Sequence, residues 1–241
     1  MAAQSAAQDA KARRRLSSGT EVVLRRSARA RRISLRVSRT DGAVTLTLPV
    51  RVSESEALAF AESKIDWITR AAAGAPQIRL VAPGAVLPVE GQGMVITPAA
   101  VRRVTAADGR LLVPQGRPVG TVVSVYLRHL AHQRLTVSAG RHAHALGRPF
   151  RAIALRDTRS RWGSCTSDGR LMFSWRLAMA PPEILDYVAA HEVAHLAHMD
   201  HSPRFWATVE QLLPGHARHR GWLRSHGGGL QAWVFRAAAP A

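Results

Sequence analysis

The sequence predicts an α+β fold, with a β-rich N-terminal half and a helical half behind it. Three features of the 241-residue chain predict this. Between Thr20 and Leu48, apolar and polar residues alternate with the period of two expected of half-buried strands. Residues 75–118 are rich in Pro and Gly and break into short apolar runs. From Val119 onward, helical periodicity takes over, with long stretches nearly free of Gly and Pro.

Taken in order, residues 1–18 read as a disordered basic tail. An Arg cluster follows an alanine-rich polar stretch, and no apolar signal core is present. Residues 19–118 form the β-rich portion. Val23 is expected to point inward, followed by Ile33, Leu35 and Val37. Arg39-Thr40-Asp41-Gly42 is a turn, and Val44, Leu46 and Leu48 resume the alternation, a strong hairpin signal. Ser53 and Glu56 make a capping box that opens one helix to about Ala73, with Trp67 packing it onto the hairpin. The short runs at 78–81, 94–96, 101–104 and 111–113 suggest a meander of strands.

Residues 119–226 form a second, helix-rich portion. Val119 to Leu146 is a helix with Val122, Val125, Tyr126, Leu130, Leu135 and Val137 facing a core and Gly147 as its stop. His129, His132, His142 and His144 on it lack ligand spacing and read as surface or packing residues. Ala152–Arg156 and Leu171–Arg176 are strands joined through Arg161-Trp162-Gly163-Ser164-Cys165 and the turn Ser167-Asp168-Gly169. Phe205, Trp206, Val209, Leu212 and Leu213 belong to a closing helix that ends at Pro214-Gly215. Gly227-Gly228-Gly229 opens a flexible tail over 227–241.

Composition bounds the function. No run approaches 18 apolar residues, which argues against a membrane span. The single cysteine, Cys165, excludes an internal disulfide and fits a reducing, cytoplasmic setting. The net charge of +18 makes nucleic acid a candidate partner through a basic surface. All but Lys11 and Lys64 of the 34 cations are Arg, however, a skew that a GC-rich coding sequence produces without selection for binding.

The chemistry centres on His191-Glu192-Val193-Ala194-His195. Pro181-Pro182-Glu183 looks like a helix start, and no Gly or Pro interrupts residues 184–199. Residues four apart on a helix differ by about 40° around its axis, so His191 and His195 point the same way. Two imidazoles at that spacing can hold one metal ion, with Glu192 beside them as a base. This is the zincin arrangement, in which zinc activates water and the glutamate takes its proton. His201 follows six residues later, before Ser202-Pro203, where the helix should have ended. It can close a three-nitrogen site with one open position. His198 reads as a rim residue, and Asp200 as a group that orients a histidine. Tyr187, one turn before His191, orients the site or fills the core. The Trp162-Gly163-Ser164-Cys165 stretch is either a structural turn, with Gly163 permitting close backbone approach and Trp162 as a core anchor, or a wall of the cleft whose backbone or Arg161 polarises the substrate oxygen.

Two rival readings remain open on the residues alone. One is a non-proteolytic zinc amidase with Cys165 as third ligand. The other is a nucleic-acid-binding module whose metal is structural and closed by four ligands.

Several motifs together resemble the YgjP-like metallopeptidase family. They are Arg161-Trp162-Gly163-Ser164-Cys165, Trp175-Arg176-Leu177, Asp186-Tyr187-Val188, His191-Glu192-x-x-His195 and His201-Ser202-x-x-Phe205-Trp206. The Arg32–Gly42–Pro49 hairpin and Lys64-x-x-Trp67-Ile68 look like that family's front half, so the resemblance runs from about residue 25 to 224. It implies a zincin-like, zinc-dependent peptidase acting on a peptide or protein substrate. It also implies His191, His195 and His201 as Zn2+ ligands and Glu192 as the catalytic base.

Overall fold

The structure, a computed structural model, describes residues 12–38, 42–74 and 77–235. The expected turn residues Arg39–Asp41, the first eleven residues and the last six lie outside the described residues. The architecture is α+β, and the chain divides into two compact units, residues 1–78 and 79–241.

In the first unit, β1 (Ala12–Arg15), β2 (Glu21–Arg26), β3 (Ser34–Val37) and β4 (Val44–Leu48) form one sheet in the order β1-β2-β4-β3. β3 and β4 pair antiparallel, Leu35 opposite Leu46 and Val37 opposite Val44, as the alternation requires. β2 lies parallel to β4. One sheet face carries Val22, Leu24, Val44, Leu46 and Leu48, all buried. Val23 therefore points away from the core, one residue out of phase with the expectation, because Val22 and Leu24 are the pair in step with Val44 and Leu46. Leu16 is also buried, so ordered chain begins inside the segment expected to be a tail.

The helical segment after Ser53 is two helices, α1 (Glu54–Glu62) and α2 (Ile65–Ala73). The Ser53 hydroxyl accepts the Glu56 N–H at 3.1 Å, so the cap is present. The break at Ser63-Lys64 lets Ala61 and Ile68 both reach the sheet core, where neither is exposed. Trp67, one position from Ile68, is 46% exposed and does not pack the helix down.

The second unit begins with β5 (Arg79–Leu80), β6 (Val86–Val89), β7 (Gln92–Ala99), β8 (Thr105–Ala107) and β9 (Arg110–Pro114). The last four form a sheet in the order β6-β7-β9-β8. The long helix α3 (Val119–Leu146) follows and stops at Gly147, whose φ of 68° is the left-handed cap. A three-stranded sheet then assembles from β10 (Ala152–Arg156), β11 (Gly163–Cys165) and β12 (Arg170–Ser174), with β12 in the middle. A buried 3-10 helix, Trp175–Met179, separates β12 from α4 (Pro182–Ala194). The unit ends with α5 (Pro203–Leu212), α6 (His216–Gln231) and β13 (Trp233–Val234), which pairs parallel with β5.

Three expectations are corrected here. The boundary falls at 78/79 and not at 118/119, because Leu87, Val89, Ile96, Leu111 and Val113 share one core with Leu127, Phe173 and Trp175. The core face of α3 is Val123, Leu127, Ala131, Leu135 and Ala139, a clean i, i+4 stripe. Val122, Tyr126 and Leu130 pack partly buried beside this stripe, whereas Val125 and Val137 are 60% and 72% exposed, since this helix spreads valines around its whole circumference. The triple glycine lies within α6 and does not begin a tail. The Arg176 guanidinium, 4% exposed, donates to the carbonyls of Leu230 at 3.0 Å and Trp233 at 2.9 Å and bonds Asp157, fixing the segment after the glycines. Gly227 is also where α6 meets the Trp162 ring, 3.0 Å from where a Cβ would stand.

Candidate metal centre and its cleft

α4 starts on Pro182 and buries Ile184, Leu185, Val188 and Val193, so its register in the core is set by ordinary apolar packing. That register leaves His191 and His195 on one side, one turn apart, with ring centroids 5.1 Å from each other. The helix ends at Ala194, earlier than the absence of breakers suggests. Leu196 and Ala197 bond back to Val193 and Ala194 at 2.9 and 3.0 Å, tightening the last turn so that the chain reverses. The reversal carries His201 to the same place. Ser202 then caps α5 by accepting the Phe205 N–H, with Pro203 in the first turn.

His191, His195 and His201 thus converge: one ring nitrogen from each lies within 4.8 Å of the others, and they form the one group of metal-ligating side chains found among the described residues. The Nε2 atoms of His191 and His201 approach to 3.2 Å. The His195 Nδ1–H donates to the His198 carbonyl at 2.9 Å, which leaves the Nε2 lone pair free for the cluster. It is therefore the His198 backbone that orients a histidine. Asp200 instead accepts the Ser202 N–H at 3.2 Å and shapes the turn. Burial, followed by the nearby His195 and His201, pushes His191 down to about 3, so its imidazole is neutral at physiological pH. Three imidazoles whose ring nitrogens converge fit a divalent metal of the zinc type. The buried His191 Nδ1 has no hydrogen-bond partner among the described residues.

Glu192 is 5% exposed and lines the same cleft without joining the nitrogen group. Burial pushes its carboxyl up to about 8, against the opposing pull of the Arg161 guanidinium. The cleft measures about 420 Å³. Its far wall is Arg161 with β11, and Tyr187, Met199 and Leu223 complete the rim. Cys165 lines it too, but is not in the ligand group, and burial, with Glu192 and Asp168 nearby, pushes its thiol up to about 11. The readings that recruit Cys165 as a third or fourth ligand lose their geometric basis. Tyr187 is buried between roles, stacked on His216 at 6.1 Å and edge-on to His191 at 6.0 Å.

The structure supplies the partner for the close approach expected at Gly163 and adds one feature that escapes the sequence. Gly163 is needed for close approach, because its missing side chain makes room for Glu192. The Tyr187–His216–Trp206 stack with Arg220 over Trp206 supports the ligand side of the cleft from α6. His216 and Arg220 belong to a helix whose sequence shows no apolar stripe to announce it, so no pattern pointed to them.

The family model described as YgjP-like, metallopeptidase domain, matches residues 31–226. The chain belongs to the YgjP-like metallopeptidase family. None of the curated proteins compared with it matches. A solved structure, the metallopeptidase zymogen abylysin of Pyrococcus abyssi, is similar at 20% identity over 37% of this chain and 93% of that one, with a TM-score of 0.34. Among the described residues, no helix is long and apolar enough to cross a membrane.

Proposed function

We propose that this member of the family is a zinc-dependent peptidase in which His191, His195 and His201 hold Zn2+ and Glu192 is the catalytic base. The observation that carries the proposal is the convergence of three imidazole nitrogens within 4.8 Å beside a buried glutamate that is not among them. Zinc, when bound, supplies the Lewis acidity that makes water nucleophilic near neutral pH. Glu192 then accepts the proton of that water and passes it to the leaving amine. Burial of Glu192 disfavours its charged form and so favours its taking up that proton.

The substrate follows from the wall opposite the histidines. β11 pairs with β12 along one edge, Gly163 opposite Phe173 and Cys165 opposite Leu171, and its backbone borders the cleft. An extended peptide adding to the other edge would satisfy its own backbone donors and acceptors and lie across Glu192. Arg161, at the head of that strand, is the cleft's cation and is placed to stabilise negative charge developing on the substrate oxygen.

The test is hydrolysis of an unfolded protein such as reduced casein by the purified chain, before and after chelation and after zinc is restored. Activity that disappears with chelator and returns with zinc is expected. Equal activity of the chelated protein would refute the proposal.

A further inference from the structure

The open face of the first unit's sheet has a composition that the peptidase chemistry does not use. Strand alternation sends Val22, Leu24, Val44, Leu46 and Leu48 to the buried side, so the intervening residues face out. Pairing across the sheet places Arg13, Val23, Thr45 and Arg36 in one row, and Arg25, Thr47 and Ser34 in the next. These residues border one shallow concavity of about 700 Å³ whose lining, among the described residues, contains no acidic side chain. Glu21 stands at its margin, hydrogen-bonded to Arg13 at 3.0 Å. The connection from β2 to β3 passes the end of β4, where the Ser27 N–H bonds the Leu48 carbonyl, and carries exposed Arg31 and Arg32 to the same end as Ser34. Arg31, Arg32 and Arg36 have no ion-pair partner among the described residues.

We propose that this sheet face binds the phosphate backbone of a nucleic acid, independently of base sequence. Neighbouring strands lie about 4.8 Å apart, so Arg13 and Arg36, three strands apart in one row, span about 14 Å, enough to meet several successive phosphates. Between them the face offers hydroxyls from Thr45, Thr47 and Ser34, which are donors to phosphate oxygens. A folded protein partner would need an apolar or aromatic anchor at the centre of its interface, and among the described residues Val23 is the sole large apolar residue here. The described face is built from guanidinium and hydroxyl groups that meet phosphate oxygens, which carry no sequence information, so the binding is independent of sequence.

The experiment measures binding of the full chain to fluorescein-labelled single-stranded RNA of two unrelated sequences, by anisotropy, across a salt series. Arg31→Gln/Arg32→Gln/Arg36→Gln is compared with Arg102→Gln/Arg103→Gln/Arg117→Gln, which removes the same charge from exposed positions of the other unit. The first variant is expected to lose on the order of 100-fold in affinity at 0.1 M salt and to flatten the salt slope by about 2, for both sequences, from three lost phosphate contacts. The second should bind close to the unmodified chain. Equal losses in both variants would reduce the effect to net charge and overturn the proposal. Displacement of the RNA by polyglutamate at equal charge concentration would also overturn it, in favour of an acidic polypeptide. Should the first variant fail to fold, hydrogen exchange on the unmodified chain decides. Protection of residues 34–48 on adding RNA supports the proposal, and unchanged exchange there refutes it.

Discussion

Gly163 lies so close to the Glu192 carboxylate that a methyl group at residue 163 would stand 2.6 Å from its Cγ and 2.7 Å from its Cδ. Strand β11 and helix α4 meet here backbone to side chain, and the contact is possible only without a Cβ. The position of the proposed base is thus set by a residue that has no functional group.

Gly163→Ala is expected to lower kcat by about 100-fold, the scale of a 1 Å displacement of a reacting group. Zinc content should be unchanged, because the three nitrogens lie on other segments. Steady-state kinetics with metal analysis checks this. A variant with normal kcat would show that Glu192 needs no such room.

Glu192→Gln should retain zinc and lose about 100-fold or more of the hydrolytic rate, the range expected for removing a general base. Loss of zinc from this variant would make Glu192 a ligand and contradict the assignment.

His191→Ala, His195→Ala and His201→Ala should each lose zinc, whereas Cys165→Ser and His198→Ala should keep it. His198 serves through its carbonyl, which accepts from His195, so its side chain is dispensable. Full zinc retention in His201→Ala would remove the third ligand from the proposal.

Asp186 gives the fold a dependence on acid. Burial opposes its charge, but hydrogen bonds from His142 and Ser138, with the charges of His142 and Arg141, outweigh that and hold the carboxyl below its ordinary 3.8. A folded-state value lower than the unfolded one means stabilisation that is present above pH 3.8 and lost as pH falls through the folded value. Asp186→Asn should therefore be less stable than the unmodified protein at pH 7, by about 1–3 kcal/mol. The gap should close toward pH 2. Urea denaturation at several pH values measures it, and a constant gap would refute the ionic origin.

Local patterns were enough for much of this protein. Alternation around Gly42 fixed the β3–β4 register, because shifting by one residue would expose Leu46 and Val44. Helical spacing put His191 and His195 on one side, and Ser202-Pro203 located the turn that carries His201. These are short-range consequences of backbone geometry, visible in a few adjacent residues. What tertiary structure decided are contacts between segments distant in sequence. The core side of α3 depended on which of its faces met other elements, so Val123 and Ala131 were chosen over the equally apolar Val125 and Val137. The last glycines became helix because Arg176, more than fifty residues upstream, needed the Leu230 and Trp233 carbonyls. The sequence allowed a close backbone approach at Gly163, but which group fills that space was decided only when β11 was laid against Glu192. A missing side chain leaves no periodicity to read, and its meaning lies entirely in what occupies the space.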